Sequence, residues 1–275
     1  MSHSYPLVIE ISELNEIVQS SDKSKLRIIE ICSEERFLDQ HVPGSLHATP
    51  ADTQSQSGIP GFAPEPERLQ ALVSRLGIEE DTHCIIFDDE GGGWAGRFIW
   101  LLDEIGHSSY SYVNGGFTAW KEAGYECESG ASLVFTSGQD TTLNGLHTVT
   151  KEALLGELGD DALVVWDARS KGEYTGEKAN AKRAGCIPGA VNFDWLDIMD
   201  KNNALRFRDL DELQKELSEL GITPNKKIVT HCQTHHRSGL SYLLAKVMGF
   251  EKIYAYAGSW GEWGNDPSTP IETSL

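Results

Sequence analysis

The stretch KIVTHCQTHHRSGLSYLLAKVMG, from Lys227 to Gly249, contains the pattern that decides the fold. A short apolar run, KIVT, precedes a polar loop. Leucine, valine and methionine then recur at helical spacing until a glycine ends the pattern. The run predicts a strand buried on both faces of a parallel sheet. Strand, loop and helix in this order predict an α/β fold, with the loop at the carboxyl edge of the sheet.

The same pattern occurs earlier in the chain, in CIIFDDEGGGWAGRFIWLLDEIG from Cys84 to Gly106. With a shift of 143 positions, Gly96 falls on Gly239, and the tryptophan of YVNGGFTAW falls on that of YAYAGSWGEW. Two further pairs of segments keep the same order: HVPGSLHA with CIPGAVNF, and IIEICSEERF with LVVWDARSKGEY. Four matching blocks in one order predict a tandem duplication.

Each unit should therefore be a domain in which helices cover both faces of a parallel sheet. We place the first unit at residues 1–127 and the second at residues 146–275. The stretch 128–145 is rich in Ser, Thr and Gly and is predicted to be the linker. Residues 49–67 contain Pro and Gly and predict a long surface loop. Because the duplication already supplies a pseudo-dimer, we expect a monomer.

The composition indicates an ordinary globular protein with a strongly acidic surface. The 275 residues include 42 acids and 23 bases, for a formal net charge of −19. Such a surface repels nucleic acid and anionic membranes, so we expect neither as a partner. No segment approaches the roughly 20 apolar residues that span a bilayer, and no signal peptide is evident. Five cysteines without a CxxC spacing favour a reducing compartment, so we expect a cytoplasmic protein.

The loop THCQTHHRSG combines a thiol, three imidazoles and a guanidinium. Cys232 follows the predicted strand, and the helix begins near Ser238, so the intervening backbone N–H groups should surround a common centre. A helix N-terminus and such a nest of amides both favour negative charge. They should lower the pKa of Cys232, while Arg237 adds a fixed cation. The residues predict an anion-binding loop with a nucleophilic thiolate.

Other interpretations of this loop stay open from the residues alone. Its cysteine and histidines are zinc-ligand types, although neighbouring strand residues point to opposite faces and no second ligand cluster is evident. The cysteine could also be an inert buried residue beside surface histidines. Cysteine-dependent phosphatases, and arsenate reductases of similar design, place five residues between Cys and Arg. Here four residues separate Cys232 from Arg237, which leaves less room for a tetrahedral anion.

Several segments together resemble the rhodanese family: HCQTHHRSG, the paired turns HVPGS and CIPGA, DDEGGGWAGRFIWLLD and the closing YAGSWGEWGNDPSTP. The resemblance is to tandem-domain bacterial thiosulfate sulfurtransferases with a Cys-Gln-Thr-His-His-Arg loop, and it covers nearly the whole chain. It implies two tandem rhodanese-like domains of the α/β class. It also implies a ping-pong reaction, in which Cys232 takes sulfane sulfur from a small anionic donor, thiosulfate. The resulting persulfide passes that sulfur to a thiophilic acceptor, such as cyanide or a protein thiol. No cofactor and no metal are expected.

The resemblance also implies roles for single residues. The persulfide-binding loop would consist of Gln233, Thr234, His235, His236, Arg237 and Ser238. Its amides would hold the outer sulfur, and Arg237 would support the loop and its charge. His235 is a candidate for steering the donor anion, and His231 for anchoring the strand end. A non-catalytic persulfide carrier or redox sensor built on Cys232 is the alternative from another class, and turnover would distinguish the two.

The sequence departs from the family pattern outside the loop. Cys186 stands where the family usually has His, and Thr175 stands where an Arg often follows the aromatic residue of EY. Arg183 and Lys182 are the candidate substitutes for that outer cation, and Trp195 is a candidate for lining the cleft. Cys186 is expected to be a plain buried residue.

In the first unit, Asp89 falls on Cys232 at the shift of 143, and a carboxylate cannot carry sulfur. Its loop also contains the dinucleotide pattern G-x-G-x-x-G between a strand and a helix. We reject a dinucleotide site, because the adjacent acids would repel a pyrophosphate and the ribose-binding acid is missing. The first unit is predicted to be a non-catalytic partner domain that closes one wall of the cleft.

Overall fold

The computed structural model describes residues 5–21, 23–136 and 141–273. The elements of the first unit are β1 (Val8–Ile9), α1 (Ile11–Gln19), β2 (Leu26–Ile31), α2 (Glu34–Asp39), β3 (Leu46–Ala48), α3 (Pro66–Arg75), β4 (His83–Asp88), α4 (Gly93–Glu104), β5 (Tyr110–Val113) and α5 (Gly116–Glu122). Those of the second are α6 (Lys151–Glu157), β6 (Leu163–Asp167), α7 (Lys171–Tyr174), β7 (Val191–Asn192), β8 (Met199–Asp200), β9 (Arg206–Phe207), α8 (Leu210–Glu219), β10 (Lys227–His231), α9 (Arg237–Val247), β11 (Ile253–Ala255) and α10 (Ser259–Trp263). No helix of the described residues is long and apolar enough to cross a membrane.

Each unit contains a parallel sheet, and the two sheets have corresponding strand orders. The first sheet has the order β1-β5-β4-β2-β3, and the second has the order β11-β10-β6-β7. A parallel bridge between Thr148 and Ala255 takes, beside β11, the place that β1 takes beside β5. The four apolar runs LRIIEI, CIIF, LVVW and KIVT lie in β2, β4, β6 and β10. These central strands are buried on both faces, which explains why their sequences are mostly apolar.

Helices cover both faces of each sheet because successive strand residues point to opposite sides. In β4, Cys84 and Ile86 face the core formed with α3 and α4, whereas Ile85 and Phe87 face α1 and α5. In the second unit, α8 and α9 cover one face of the sheet, and α6 and α10 cover the other. The predicted α/β class with two similar domains is confirmed.

The two units join through α4 and α9, the helices that follow the two aligned loops. A Cβ atom on Gly96 would lie 2.1 Å from the carbonyl oxygen of Gly239, so the two backbones are in direct contact. Further along, Asp103 accepts hydrogen bonds from Lys246 and Tyr242, each at 2.6 Å. Gly96 with Gly239, and Asp103 with Lys246, are equivalent positions of the repeat. The units therefore meet about a pseudo-two-fold axis, with one apolar core running across the junction.

Two segments that connect secondary-structure elements do not simply run over the surface. In residues 49–67, Thr53 is fully buried, and a Cβ on Gly61 would lie 2.0 Å from the carbonyl oxygen of Ala257 in the second unit. The segment is therefore a surface loop only in part: residues 56–58 are exposed, whereas Thr53 and Gly61 pack into the junction. The predicted linker, 128–145, runs along the first unit from a bridge between His41 and Glu128. Its residues 137–140 lie outside the described residues.

Candidate active site

The loop that contains Cys232 lies at the carboxyl edge of the second sheet, between β10 and α9. Cys232 follows directly after β10 and is only 1% exposed. Its N–H donates to Ser259 Oγ at 3.3 Å, and its carbonyl oxygen accepts from the N–H of Trp260 at 2.9 Å. The start of α10 thus fixes the backbone of the cysteine.

The thiol of Cys232 differs electrostatically from the other thiols of the chain. Burial raises its pKa, but the charge of Arg237, the hydroxyl of Ser238 and the N–H groups of Ser238 and Thr234 outweigh burial. The net result is a pKa below the ordinary thiol value. Burial raises the pKa of the remaining four cysteines, which are Cys32, Cys84, Cys127 and Cys186. Cys232 alone combines a loop position with thiolate character.

The loop turns sharply at His235, whose φ of 56° lies in the left-handed region. That conformation costs a non-glycine residue about 1–2 kcal/mol. The surroundings hold it: Nδ1 of His235 lies 2.8 Å from Ser238 Oγ, and its ring meets Trp100 edge-on at 4.7 Å. Burial lowers the pKa of His235 well below its ordinary value, so the ring is neutral. A fully buried, neutral ring cannot steer an anion, and the structure corrects that expectation.

The backbone of the loop retains donors for an anion. In the part of the chain that the structure describes, no protein oxygen accepts the N–H groups of His235, His236 or Arg237. Arg237 is the first residue of α9, so its N–H also lies at the positive end of the helix dipole. The loop can therefore donate several hydrogen bonds to one small, negatively charged atom.

Arg237 is held by a carboxylate from another part of the second unit. Its two terminal nitrogens donate to the two oxygens of Glu173 at 2.6 and 2.9 Å. Glu173 also accepts from Ser170 Oγ at 2.9 Å and from Asn180 Nδ2 at 2.8 Å. Burial raises the pKa of Glu173, but Arg237 and these donors bring it down to about 2. Sequence reasoning missed Glu173. Its one local signal, the Ser-x-x-Glu capping box of α7, predicts a helix start and not a partner for the loop.

The first unit forms one wall of the site. His236, at the lip of the loop, stacks on Trp94 with ring centroids 4.0 Å apart and meets Trp195 edge-on at 5.3 Å. Its Nε2 lies 3.0 Å from Oε2 of Glu90. Trp94 and Glu90 belong to the loop and helix of the first unit, and Trp195 belongs to the second. Trp195 thus lies beside the loop, and its role in lining the cleft stays a prediction.

Arg183 does not face an anion. Its guanidinium donates to the backbone carbonyl oxygens of Trp263 and Thr269, at 2.7 Å each, and to that of Asp266. It anchors the segment that follows α10, so the structure corrects its assignment as an outer cation of the cleft. Cys186 is fully buried and pairs through its backbone with Glu272, which agrees with a structural role.

The three histidines around Cys232 face three different surroundings. Nε2 of His231 lies 3.6 Å from Asp167 Oδ2 beneath the loop, His235 faces Ser238, and His236 faces the first unit. Among the described residues, no group of three or more His, Cys, Asp or Glu side chains is arranged to hold a metal ion. The geometry favours a nucleophilic cysteine in an amide-lined loop.

Comparison with known proteins identifies the family. The family model for the rhodanese-like domain matches residues 13–123 and again residues 150–266. The chain belongs to the rhodanese family. It is 47% identical over 273 residues to the thiosulfate sulfurtransferase of Azotobacter vinelandii, with 98% of each chain covered. It is 44% identical to the thiosulfate sulfurtransferase of Pseudomonas aeruginosa, with 97% of each covered.

A solved structure shows the same fold in a longer protein. The anaerobic ergothioneine biosynthesis enzyme from Chlorobium limicola matches with a TM-score of 0.87 at 20% identity. The match covers 99% of this chain and 71% of that enzyme.

A carboxyl side chain fills the aligned loop of the first rhodanese domain. The carboxylate of Asp88 accepts from the N–H groups of Glu90, Gly92 and Ala95 at 3.0, 2.8 and 2.9 Å. Asp89, at the position of the cysteine, is held by Arg36 at 3.0 Å. Asp88 thus occupies three backbone donors of this loop, and a carboxylate stands at the position of the Cys232 thiol.

Proposed function

We propose that this protein is a thiosulfate sulfurtransferase that carries sulfur as a persulfide on Cys232. The proposal rests on one observation above all: a buried thiol with a lowered pKa lies in a loop where the N–H groups of His235, His236 and Arg237 have no protein acceptor among the described residues. The similarity to two thiosulfate sulfurtransferases over almost the whole chain supports it.

In the first half-reaction, the Cys232 thiolate attacks the outer sulfur of thiosulfate. A sulfur–sulfur bond forms to the cysteine, and the sulfur–sulfur bond of thiosulfate breaks. Sulfite leaves with the bonding electron pair, and the outer sulfur remains on Cys232 as a persulfide anion. Backbone N–H groups of the loop then stabilise the charge on the terminal sulfur, as an oxyanion hole stabilises oxygen.

In the second half-reaction, a thiophilic acceptor attacks the terminal sulfur. With cyanide, a carbon–sulfur bond forms, the persulfide bond breaks, and thiocyanate leaves. The electron pair of the persulfide bond returns to Cys232 as a thiolate, so the cycle needs no other oxidant or reductant. Arg237 compensates the negative charge in both states, and its own pairing with Glu173 keeps it in place.

The surroundings of the loop favour a small donor and an independent monomer. His236, Trp94 and Trp195 crowd the lip of the loop, which suits an anion of the size of thiosulfate better than a large molecule. The helices α4 and α9 pack against each other within one chain, so the repeat satisfies its own junction. All five cysteines are unpaired, which suits a reducing cytoplasm.

The test is the intact mass of the protein after incubation with thiosulfate, with Cys232→Ala as the control. We expect the wild type alone to gain one sulfur atom and to lose it on addition of cyanide, with release of thiocyanate. Gain of sulfur without repeated turnover would replace the enzyme with a carrier or sensor. No gain, together with phosphate release from an aryl phosphate, would replace it with a phosphatase.

A further inference from the structure

Arg97 is a completely buried cation of the first, non-catalytic unit. It follows Gly96, the residue at which α4 touches α9. A buried charge without partners is strongly destabilising, so the hydrogen-bond partners of Arg97 indicate its role. Within the described chain, every hydrogen bond of its guanidinium goes to a backbone carbonyl oxygen or to the hydroxyl of Thr53.

These oxygens come from two segments that belong to different units. In the first unit, Arg97 donates to the carbonyl oxygens of Thr53, Gly61 and Phe62 at 2.7, 2.9 and 2.8 Å. In the second unit, its Nη1 reaches the carbonyl oxygens of Thr234 and His235 at 3.2 and 3.4 Å. The latter two belong to the loop that contains Cys232.

We propose that Arg97 is a positioning residue for the catalytic loop, supplied by the unit whose aligned loop has no cysteine. In a trans peptide the C=O and N–H bonds point in opposite directions. Holding the carbonyls of Thr234 and His235 toward Arg97 therefore turns the N–H groups of His235 and His236 away from it. They then face the side on which the sulfur is carried. The same contacts hold His235 in its left-handed conformation.

The charges around the loop agree with this role. Burial lowers the pKa of Arg97, and the charge of Cys232 opposes that change, so the two groups interact. After burial, the charge of Arg97 is the next cause that lowers the pKa of His235, and it helps to keep that ring neutral. Other charged groups near the thiol include Arg237 with Glu173, the ion pair of Asp167 with Arg169 beneath His231, and Glu90 beside His236.

The test compares Arg97→Met and Arg97→Lys with Arg27→Met. Arg27 is a matched control, because it is also buried and also donates to carbonyl oxygens. Among the described residues, these are the carbonyls of Gly77, Ser24 and Leu26, all in the first unit. The first readout is the pH dependence of iodoacetamide alkylation of Cys232, followed by intact mass, with Cys232→Ala as background. The second readout is kcat and KM for thiosulfate, which rest on the proposed function.

We expect Arg97→Met to raise the apparent pKa of Cys232 by about 1 unit and to lower kcat roughly 100-fold, with a smaller change in KM. Arg97→Lys keeps the positive charge but loses the planar set of guanidinium donors. Relative to Arg97→Met, it should therefore recover part of the lowered pKa of Cys232 and a smaller part of kcat. Arg27→Met should lower Tm and change neither readout.

A wild-type alkylation profile in Arg97→Met, with a loss of Tm like that of Arg27→Met, would reduce Arg97 to a structural residue. Should Arg97→Met not fold, wild-type kcat and alkylation in Arg97→Lys would overturn the proposal equally. Alkylation requires no sulfur transfer. Failure of the proposed function would therefore appear as inactivity of the wild type, with the alkylation comparison still decisive.

Discussion

Replacing Glu173 by Gln tests how the loop arginine is held. The substitution keeps the size and shape of the side chain but removes the charge that pairs with Arg237. In the native protein both oxygens of Glu173 accept from Arg237, at 2.6 and 2.9 Å, and Glu173 is 4% exposed. The amide of Gln offers one acceptor in place of two and has no charge, so Arg237 loses its bidentate partner.

The size of the effect follows from the pKa of Glu173. It is about 2, against an ordinary value of 4.5, and this difference corresponds to about 3 kcal/mol at about 1.4 kcal/mol per unit. The side chain of Arg237 is 20% exposed, so screening by water reduces this to about 2 kcal/mol. The folded-state pKa lies below the unfolded one. The contribution is therefore complete above pH 4.5 and is lost as the pH falls from 4.5 toward 2.

The assay is urea unfolding of wild type and Glu173→Gln at about pH 7 and about pH 3. We expect the variant to be less stable by about 2 kcal/mol at the higher pH and by less than half of that at the lower. Glu216→Gln is the matched control, since Glu216 pairs with Arg208 in the same bidentate way but is 40% exposed. It should cost less than about 1 kcal/mol. Equal losses in the two variants, or a loss independent of pH, would refute the reasoning.

Three further predictions concern other parts of the structure. Alkylation of Cys232 should be half-maximal below the ordinary thiol pKa of 9.0, and faster labelling of another cysteine would contradict this. Asp89→Cys should gain no sulfur from thiosulfate when combined with Cys232→Ala, because Asp88 occupies the amides of that loop. A persulfide there would show that those amides are not needed. Asp103→Asn should lower the free energy of unfolding by about 2 kcal/mol, because it removes the carboxylate that pairs with Lys246 across the junction. A loss near zero in urea unfolding would contradict it.

Much of the fold could be predicted from local patterns. The strand Leu26–Ile31 coincides with the run LRIIEI, because a strand covered on both faces is mostly apolar, and its two charged residues, Arg27 and Glu30, are buried with partners. The loop before α9 could be placed for the same reason, since it follows such a run and precedes a helical pattern. The repeat then predicted a second copy of the strand–loop–helix pattern in the other unit.

The contacts that support the loop could not be predicted in this way. Glu173 lies 64 positions from Arg237, and Arg97 lies 137 positions from Thr234. A hydrogen bond between distant residues leaves no periodic pattern in the sequence, so neither partner had a signal beyond its residue type. The role expected of His235 failed for a related reason. Whether a loop histidine is exposed depends on what packs against it, and here that is Trp100 from the other unit.

The two aligned loops solve one physical problem in different ways. Both pass through the left-handed region at the same position of the repeat, with φ of 105° at Gly92 and 56° at His235. The first loop uses glycine there and fills its amides with Asp88, so it needs no ligand and stores no strain. The second loop has histidine at this position and, in the proposed function, uses its amides to bind sulfur. It lies in a chain of net charge −19. Such a loop is less stable alone, and its stabilisation must come from outside it. In our proposal, Arg97 supplies part of that stabilisation from the first unit, whose aligned loop has Asp89 in place of the cysteine, so this unit takes part in the chemistry of the second.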